Sequence, residues 1–312
     1  MLITPRPGAH REALLRALDR AHTAAANLQG AGPETAYTRL LSYLNWATDA
    51  ADHLRYSVSD ADLDRLVLTR RYHALLAGSG TLKGGEQERL INGLVNLEVA
   101  ERVQALGDAV QDLKKQIERW QGVDYFVVAD TSFYCHNPAK LADVNLHEVL
   151  NLPSGMSIRL LLPIAVVDEL DRLKEAGKSQ ARWRAGHTLG LLDEVLNGAT
   201  FGVWRRRRLL PDGEFHGDVN LEIVLDQPGH VRLPLADDEI VDRAAAIQVF
   251  ADRKVRLLTC DTGQHTRGRN AGLPVTKVSA KPQGEEPDWE SQGKPGTGVR
   301  AQRRAKQAED EA

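Results

Sequence analysis

The chain has 312 residues, of which 42% are hydrophobic and 27% are charged, and its formal net charge is −3. This length predicts two domains with buried cores, and the near-neutral charge means that any nucleic-acid-binding surface has to be local. The 2 cysteines, Cys135 and Cys260, rule out a disulfide framework and a zinc pattern, which indicates a reducing cytoplasm.

Hydropathy predicts neither export nor a membrane-spanning segment. The first twenty residues carry scattered charges and no apolar stretch of the signal-peptide type. The longest apolar stretch, Leu160–Val167, is interrupted by Pro163 and is far shorter than the roughly 20 residues that span a bilayer. We therefore expect a soluble, cytoplasmic protein without a membrane partner.

Residues 1–121 have the pattern of a helical domain. Alanine, leucine, arginine and glutamate dominate, and apolar residues recur at three- and four-residue spacing. This periodicity predicts four helices, over about 9–28, 34–56, 60–78 and 85–120. Such a domain is typical of a bundle or an interaction module, so we expect it to support a homodimer or to bind a protein partner.

From Gly122 the pattern changes to alternating strands and helices, which we take as a second domain over 122–280. It predicts an α/β fold with a mostly parallel sheet flanked by helices. The predicted strands are 123–129, 158–163, two or three within 201–233, 255–259 and 275–278, and the predicted helices are 145–150, 167–176, 179–196 and 238–252. Residues 281–312 are rich in proline, glycine and mixed charge, which predicts a disordered tail.

Acidic residues follow two of the predicted strands and begin two of the predicted helices. Asp130 and Asp261 come at strand ends, the edge of an open α/β sheet where ligands bind. Glu169 and Asp237 lie in first helical turns, where capping and the helix dipole are a sufficient alternative explanation. Carboxylates that converge without basic partners indicate a hard divalent cation, because Mg²⁺ prefers oxygen ligands.

Four segments, in this order and spacing, resemble PIN-domain nucleases: VVADTSFY, PIAVVDELDRLKE, LADDEIVDRAAAIQ and VRLLTCDTGQHTRGRNAGLPVTKV. The resemblance covers about half of the chain. It implies four acidic positions that bind Mg²⁺ or Mn²⁺ and cleave single-stranded or structured RNA. Carried over by position, these are Asp130, Glu169, Asp237 and Asp261, with Asp238 as a further candidate ligand beside the third.

Hydroxyl and basic side chains surround these acids in the sequence. Hydroxyls could orient a metal ligand or a metal-bound water, although turn and cap roles explain them equally well: Thr131, Ser132, Thr259 and Thr262. Basic residues are the candidates for contacts to RNA phosphates: Lys178, Arg182, Arg205, Arg207, Arg267 and Arg269. A charged edge strand is the alternative for the Arg205–Arg208 run. Trp183 and Trp204 could stack on bases, although packing is the more ordinary role for both.

The resulting hypothesis is a metal-dependent endoribonuclease. Two alternatives remain open: a PIN-like module that binds RNA or protein without cleaving, and the ribonuclease toxin of a toxin–antitoxin pair. A phosphatase with an aspartyl nucleophile does not fit, because Asp130-Thr131-Ser132 lacks the second acid of a DxDxT pattern.

Overall fold

The computed structural model describes residues 3–30, 35–80, 87–122, 124–176, 179–209, 213, 215–226 and 230–279. The predicted tail and Lys178 lie outside the described residues. Among the described residues, the first part of the chain contains the helices α1 (Arg11–Gln29), α2 (Ala36–Leu54), α3 (Asp60–Leu66), α4 (Arg70–Gly78) and α5 (Glu88–Arg119). The long helix α5 packs against both α1 and α2 through apolar residues such as Leu18, Leu40 and Leu106, which are fully buried.

One predicted helix is in fact two. The sequence predicts a continuous helix from Asp60 to about Gly78, but α3 ends at Leu66 and α4 begins after Thr69. Thr69 caps α4 by accepting a hydrogen bond from the Tyr72 backbone N–H, and its own hydroxyl donates to the buried carboxylate of Glu98 at 2.7 Å. The apolar run around Thr69 hides this cap, since the periodicity does not change there.

The second part of the chain is an α/β structure, as predicted. Its strands are β1 (Tyr125–Ala129), β2 (Ile158–Pro163), β3 (Phe201–Arg205), β4 (Arg208–Leu209), β5 (Phe215–His216), β6 (Val219–Val224), β7 (Arg256–Thr259) and β8 (Val275–Lys277). Its helices are α6 (Thr131–His136), α7 (Leu146–Leu150), α8 (Ile164–Ala176), α9 (Ser179–Leu196), α10 (Ala236–Ala251) and α11 (Thr262–Asn270). A 3-10 turn covers Leu141–Asp143.

Six of these strands form one sheet in the order β3-β6-β2-β1-β7-β8. Neighbouring strands run parallel, except that β3 is antiparallel to β6. The strands β4 and β5 form a separate antiparallel pair. The fold class predicted from the sequence, a mostly parallel sheet flanked by helices and preceded by a helical region, is confirmed.

The strand order reverses direction between β1 and β7. From β1 the chain moves outwards to β2 and β6, and then returns to place β7 and β8 on the other side of β1. Connections on opposite faces of the sheet leave a crevice at such a switch point, outside the carboxyl ends of the strands. The fold therefore opens a crevice where β1 and β7 end, which is the position of Asp130 and Asp261.

Further local predictions differ from the structure. The helix α8 begins at Ile164 rather than 167, and the helix α11 after Asp261 was not among the predicted helices. Residues 231–235 are irregular although they were predicted to be a strand. Both sides of β6 are already paired, with β2 and β3, and the Leu233 N–H instead donates to the carboxylate of Glu239 at 2.9 Å.

The helical and α/β parts touch directly. Arg119 of α5 forms an ion pair with Glu222 of β6 at 2.8 Å, and the Trp120 ring meets the Phe126 ring edge-on, with centroids 5.8 Å apart. Arg11 of α1 donates to the Phe250 carbonyl at 3.2 Å. Met1–Val278 accordingly forms one compact unit, and the domain boundary at 121/122 stays a prediction. Among the described helices, none has both the length and the apolar character needed to cross a membrane.

Candidate active site

Asp130 lies at the carboxyl end of β1 and is 3% exposed. Its carboxylate accepts hydrogen bonds from the Thr259 hydroxyl at 2.7 Å, from the Ser132 hydroxyl at 2.8 Å and from the Phe133 backbone N–H at 3.0 Å. Burial raises the pKa of Asp130 to about 6, against the lowering effect of these donors, and the negative charge of Asp237 raises it further. Within the described residues, no arginine or lysine pairs with this carboxylate.

Two hydroxyl groups tie the ends of β1 and β7 together. Ser132 accepts a hydrogen bond from the Cys260 backbone N–H at 2.9 Å, and Thr259 accepts one from the Asp261 backbone N–H at 2.8 Å. Both hydroxyls also donate to Asp130. These are two of the hydroxyls expected around the acids, and they fix the position of the Asp130 carboxylate.

The other two predicted hydroxyls differ from each other in their surroundings. Thr131 donates to the carboxylate of Glu169, which joins the start of α6 to α8. Thr262 accepts a hydrogen bond from the Lys277 ammonium at 2.6 Å, and its hydroxyl contacts no described carboxylate. Thr131 is thus placed to orient one of the predicted acids, whereas Thr262 anchors the end of β8 to α11.

The remaining predicted acids are electrostatically coupled through Asp237. Burial raises the pKa of Asp237, Arg267 lowers it, and the negative charges of Asp261, Glu169 and Asp238 raise it. Since the charge of Asp237 also acts on Asp130, the four carboxylates predicted from the sequence share one electrostatic neighbourhood. The fold therefore gathers, at one edge of the sheet, acids that lie up to 131 positions apart in the chain.

Arg267 was predicted to contact RNA, but in the structure it pairs with two of the acids. Its Nη1 lies 3.1 Å from Asp237 Oδ2, and its Nε lies 2.9 Å from Asp238 Oδ1. Both pairs are half-exposed, so solvent screens them and each stabilises the protein only weakly. Arg267 compensates part of the acidic charge, while Asp130 keeps no cationic partner in the described structure.

Gln264 was not identified from the sequence, although it holds this arrangement in place. It is fully buried on α11, and its side-chain Nε2 donates to the Asp237 carbonyl at 3.1 Å. Its backbone N–H donates to the Asp261 carboxylate at 2.8 Å, so Asp261 caps α11. The spacing Asp261-Thr262-Gly263-Gln264 resembles a capping box, a signal that could have predicted this helix.

A second cluster of potential ligands lies near the first. In the part of the chain that the structure describes, three side chains of the types that can bind a metal have their potential ligand atoms within 4.8 Å of one another: Asp226, His230 and Glu239. The four predicted acids are not gathered that closely. Glu239 is 1% exposed and contacts His230 Nε2 at 2.7 Å and Arg243 Nε at 3.3 Å, and Asp226 pairs with Arg232.

These partners decide what the second cluster does. Arginine side chains already neutralise both of its carboxylates, and a cation would have to displace them. The cluster instead holds the connection between β6 and α10, and Arg232 extends it to Asp168, the neighbour of Glu169. We regard it as a structural anchor beside the acidic crevice.

The predicted basic residues do not all surround the acids. Arg182 on α9 and Arg269 on α11 are exposed. Arg205 pairs in register with Val219, the first residue of β6, and therefore lies at the amino edge of the parallel strands, with Arg207 two residues beyond it. Arg205 and Arg207 are thus at the opposite edge from the acidic crevice, because β3 is antiparallel and ends where β6 begins.

The two tryptophans considered for base stacking differ in exposure. Trp183 is 57% exposed and stacks on His187, with the rings nearly parallel at 7° and their centroids 5.2 Å apart. The guanidinium carbon of Arg205 lies 4.0 Å from the centroid of the Trp204 ring, which is partly buried. The role of Trp204 is explained by packing, whereas more than half of the Trp183 side chain faces solvent and is not packed.

The acidic crevice has the chemistry that Mg²⁺ or Mn²⁺ requires. The side-chain atoms that could bind a metal here are carboxylate oxygens. Arg267 neutralises only part of their charge, and the buried Asp130 has no positive partner among the described residues. Hard divalent cations bind this kind of donor set, usually through one or two carboxylates and several waters.

Comparison with known proteins gives a family for this fold. The family model described as "PIN domain" matches residues 127–279, which contain all four predicted acids and nearly the whole six-stranded sheet. No curated protein matches the chain. Through residues 127–279, the chain therefore belongs to the PIN-domain family, whose fold is of the nuclease type.

Proposed function

We propose that this protein is a metal-dependent endoribonuclease that hydrolyses RNA phosphodiester bonds. The observation that carries this proposal is the placement of Asp130, a carboxylate buried at the switch point of the sheet with no cationic partner in the described structure. Three further acids, Glu169, Asp237 and Asp261, share its electrostatic neighbourhood. The negative charge of these carboxylates at the carboxyl edge of the sheet is only partly compensated, which favours binding of a divalent cation there.

The burial of the Asp130 carboxylate costs free energy when the side chain is ionised. An ionised carboxylate that loses its water is unfavourable unless a cation or several donors compensate it. Asp130 has three donors, and its pKa is nevertheless raised to about 6. A cation held by Asp130, Glu169, Asp237 and Asp261, with Asp238 beside them, would relieve this cost. When bound, Mg²⁺ or Mn²⁺ supplies an activated water and stabilises the charge that develops at phosphorus and on the leaving oxygen.

The protein's own residues would position the acids and the RNA. Ser132 and Thr259 hold the Asp130 carboxylate, and Thr131 holds Glu169. Arg182 is exposed on α9, which follows the helix of Glu169, and Arg269 is exposed on α11, which follows Asp261. Both arginines would contact RNA phosphates, which positions a strand without reading its sequence. The contact predicted for Lys178 also belongs to this proposal.

One observation favours the second candidate, a binding module without cleavage. Arg267 pairs with Asp237 and Asp238 and so occupies part of the site that a cation would need. In a catalytic protein, the metal has to displace or tolerate this arginine. The toxin alternative uses the same site in another biological role, and an adjacent antitoxin gene would distinguish it.

The test measures cleavage of labelled single-stranded RNA by the purified protein in Mn²⁺ and in EDTA. We expect cleavage only with the metal, and a loss of about 100-fold or more in the Asp130→Asn variant, since that substitution removes a ligand charge. Asp168→Asn is the matched control, because it removes one negative charge beside Glu169 at an exposed residue that pairs with Arg232. Full metal-dependent cleavage by Asp130→Asn would overturn the proposal. Retained RNA binding without any cleavage by the wild-type protein would support the binding module instead.

A further inference from the structure

A cavity of about 490 Å³ lies at the amino edge of the sheet, opposite the acidic crevice. We call it the amino-edge pocket and define it by its basic and polar lining: Asn145, His147, Arg205, Arg206, Arg208 and His216. It is formed where β3 ends, where β4 and β5 pair, and where the chain approaches α7. Nothing in the proposed ribonuclease site uses it.

The charge of this pocket is strongly positive. Three arginines line it against one carboxylate, Asp143, which lies 3.7 Å from the ammonium of Lys140. No described carboxylate forms an ion pair with Arg205, Arg206 or Arg208. Burial lowers the pKa of Arg205, the positive charge of Arg208 lowers it further, and the negative charge of Asp143 opposes both. Like charges that line one cavity repel each other, and a bound anion would reduce this repulsion.

Arg205 is held in place by acceptors that carry no charge. Its Nη1 donates to the Val144 carbonyl and its Nη2 to the Ala142 carbonyl, each at 2.7 Å, while its guanidinium lies over the Trp204 ring. Arg159 on β2 of the same sheet, by contrast, pairs with the carboxylate of Asp124 at 2.7 Å. The fold therefore fixes the orientation of Arg205 and leaves its positive charge available.

Two histidines complete one side of the pocket. His147 is buried, and its Nε2 donates to the Met156 carbonyl at 2.7 Å, which fixes the ring. The ring of His216 lies edge-on to it, with centroids 5.7 Å apart. The donors left for phosphate oxygens are the guanidinium groups that line the cavity, because the Nε2 donor of His147 is already used by the Met156 carbonyl.

From these observations we propose that the amino-edge pocket is a phosphate-binding site, separate from the acidic crevice. Val219 and Val224 are the two ends of β6, so the strand separates the two edges by roughly 17 Å, at about 3.3 Å per residue. A phosphate in this pocket is therefore not the one that would be cleaved. The phosphate belongs either to a distant part of a bound RNA strand or to a free phosphorylated small molecule. The first of these sources rests on the proposed function.

The test measures binding of two probes in EDTA, where no metal-dependent cleavage occurs: inorganic pyrophosphate, and a single-stranded RNA of about 20 nucleotides. The variant is Arg206→Glu with Arg208→Glu, because both side chains are exposed and neither makes a described side-chain contact. The control is Arg20→Glu with Arg89→Glu, which changes the net charge equally on the exposed faces of α1 and α5. Circular dichroism checks that both double variants keep the fold.

We expect the pocket variant to weaken pyrophosphate binding at least about tenfold while the control does not. RNA binding is also measured as a function of salt. If it weakens as well, and the slope of log K against log salt concentration becomes shallower by about 2, the phosphate comes from the RNA strand. If pyrophosphate binding alone weakens, the ligand is a small phosphorylated molecule. Unchanged binding of both probes, or equal losses in variant and control, overturns the proposal. The Asp130→Asn variant should bind pyrophosphate normally, so a failure of the ribonuclease proposal remains distinguishable.

Discussion

The carboxylate of Asp130 has two opposing influences on its charge. Burial disfavours ionisation, whereas the hydroxyls of Thr259 and Ser132 and the Phe133 backbone N–H favour it. The net effect is a pKa of about 6 in place of an ordinary value of 3.8. At neutral pH the side chain is therefore mostly ionised, which costs stability in the folded, metal-free protein.

This balance predicts how the stability of the metal-free protein depends on pH. Because the folded-state pKa is raised, protonated Asp130 favours folding below about pH 4, and this contribution is lost as the pH rises through 6. A pKa of about 6 in place of 3.8 corresponds to roughly 3 kcal/mol at pH 7.5. We expect Asp130→Asn to be more stable than the wild-type protein at pH 7.5 in EDTA by up to this amount.

The measurement is thermal or urea unfolding in EDTA at pH 7.5 and at pH 4. The advantage of the asparagine variant should shrink at pH 4, where Asp130 is itself neutral, and Mn²⁺ should stabilise the wild-type protein more than the variant at pH 7.5. Asp168→Asn serves again as the control, since its carboxylate is half-exposed. A wild-type protein as stable as Asp130→Asn at pH 7.5 would contradict the burial argument.

At the scale of elements, the two aspartates at strand ends also start helices. Asp130 caps α6 and Asp261 caps α11, so capping and a role in the acidic crevice are combined in the same side chains. No helix was predicted after Asp261, and threonine and glycine give the segment TGQHTRGRN a weak helix propensity. Tertiary contacts make this segment a helix, and Gly268 is the residue that permits them.

Gly268 allows α11 to approach the sheet closely. A Cβ atom at this position would lie 2.6 Å from Leu257 Cδ2 and 2.9 Å from Val275 Cγ2. We expect Gly268→Ala to destabilise the protein by about 1–3 kcal/mol through overpacking, measured by urea unfolding. Gly93→Ala in α5 is the control, because open space surrounds that Cβ position and the helix should gain about 0.5–1 kcal/mol. Equal effects of the two substitutions would refute the close approach.

On the scale of the whole molecule, the helical part is joined to the PIN domain by buried contacts. Trp120, at the end of α5, is 1% exposed and meets Phe126 of β1, while Glu222 of β6 pairs with both Arg119 and Arg159. A buried contact of this kind couples the stability of the two parts. The helical part therefore supports the strand that ends in Asp130, and its contacts reach the sheet from the side of β1 and β6.

We expect the described helical and α/β parts to unfold in a single cooperative transition. Trp120→Ala should destabilise the protein by about 3–5 kcal/mol and should lower the hydrogen-exchange protection of both α1 and β1. Leu90→Ala on the exposed face of α5 is the control and should change little, because that side chain is 62% exposed. Separate transitions for the two parts, or lost protection in only one of them, would show that the interface carries little coupling.

Much of the architecture followed from local pattern alone. The spacing of apolar residues predicted α1, α2, α5 and most of the sheet strands, and the order of the acids predicted the PIN-domain family, which the family match confirms. Strands of adjacent βαβ units run parallel, so Asp130 and Asp261 were expected at one edge. The break between α3 and α4 was missed because a single cap, Thr69, decides it within an unbroken apolar run.

By itself, then, the sequence determined the fold class and which acids follow which elements, since these depend on residues close together in the chain. Only the tertiary structure decided which charges meet. Arg267 reaches Asp237 and Asp238 because α11 packs beside α10, whereas Arg205 lies across the sheet because β3 runs antiparallel to β6. The antiparallel direction of β3 and the packing of α11 against α10 depend on contacts between segments far apart in the chain, and the local pattern did not predict them.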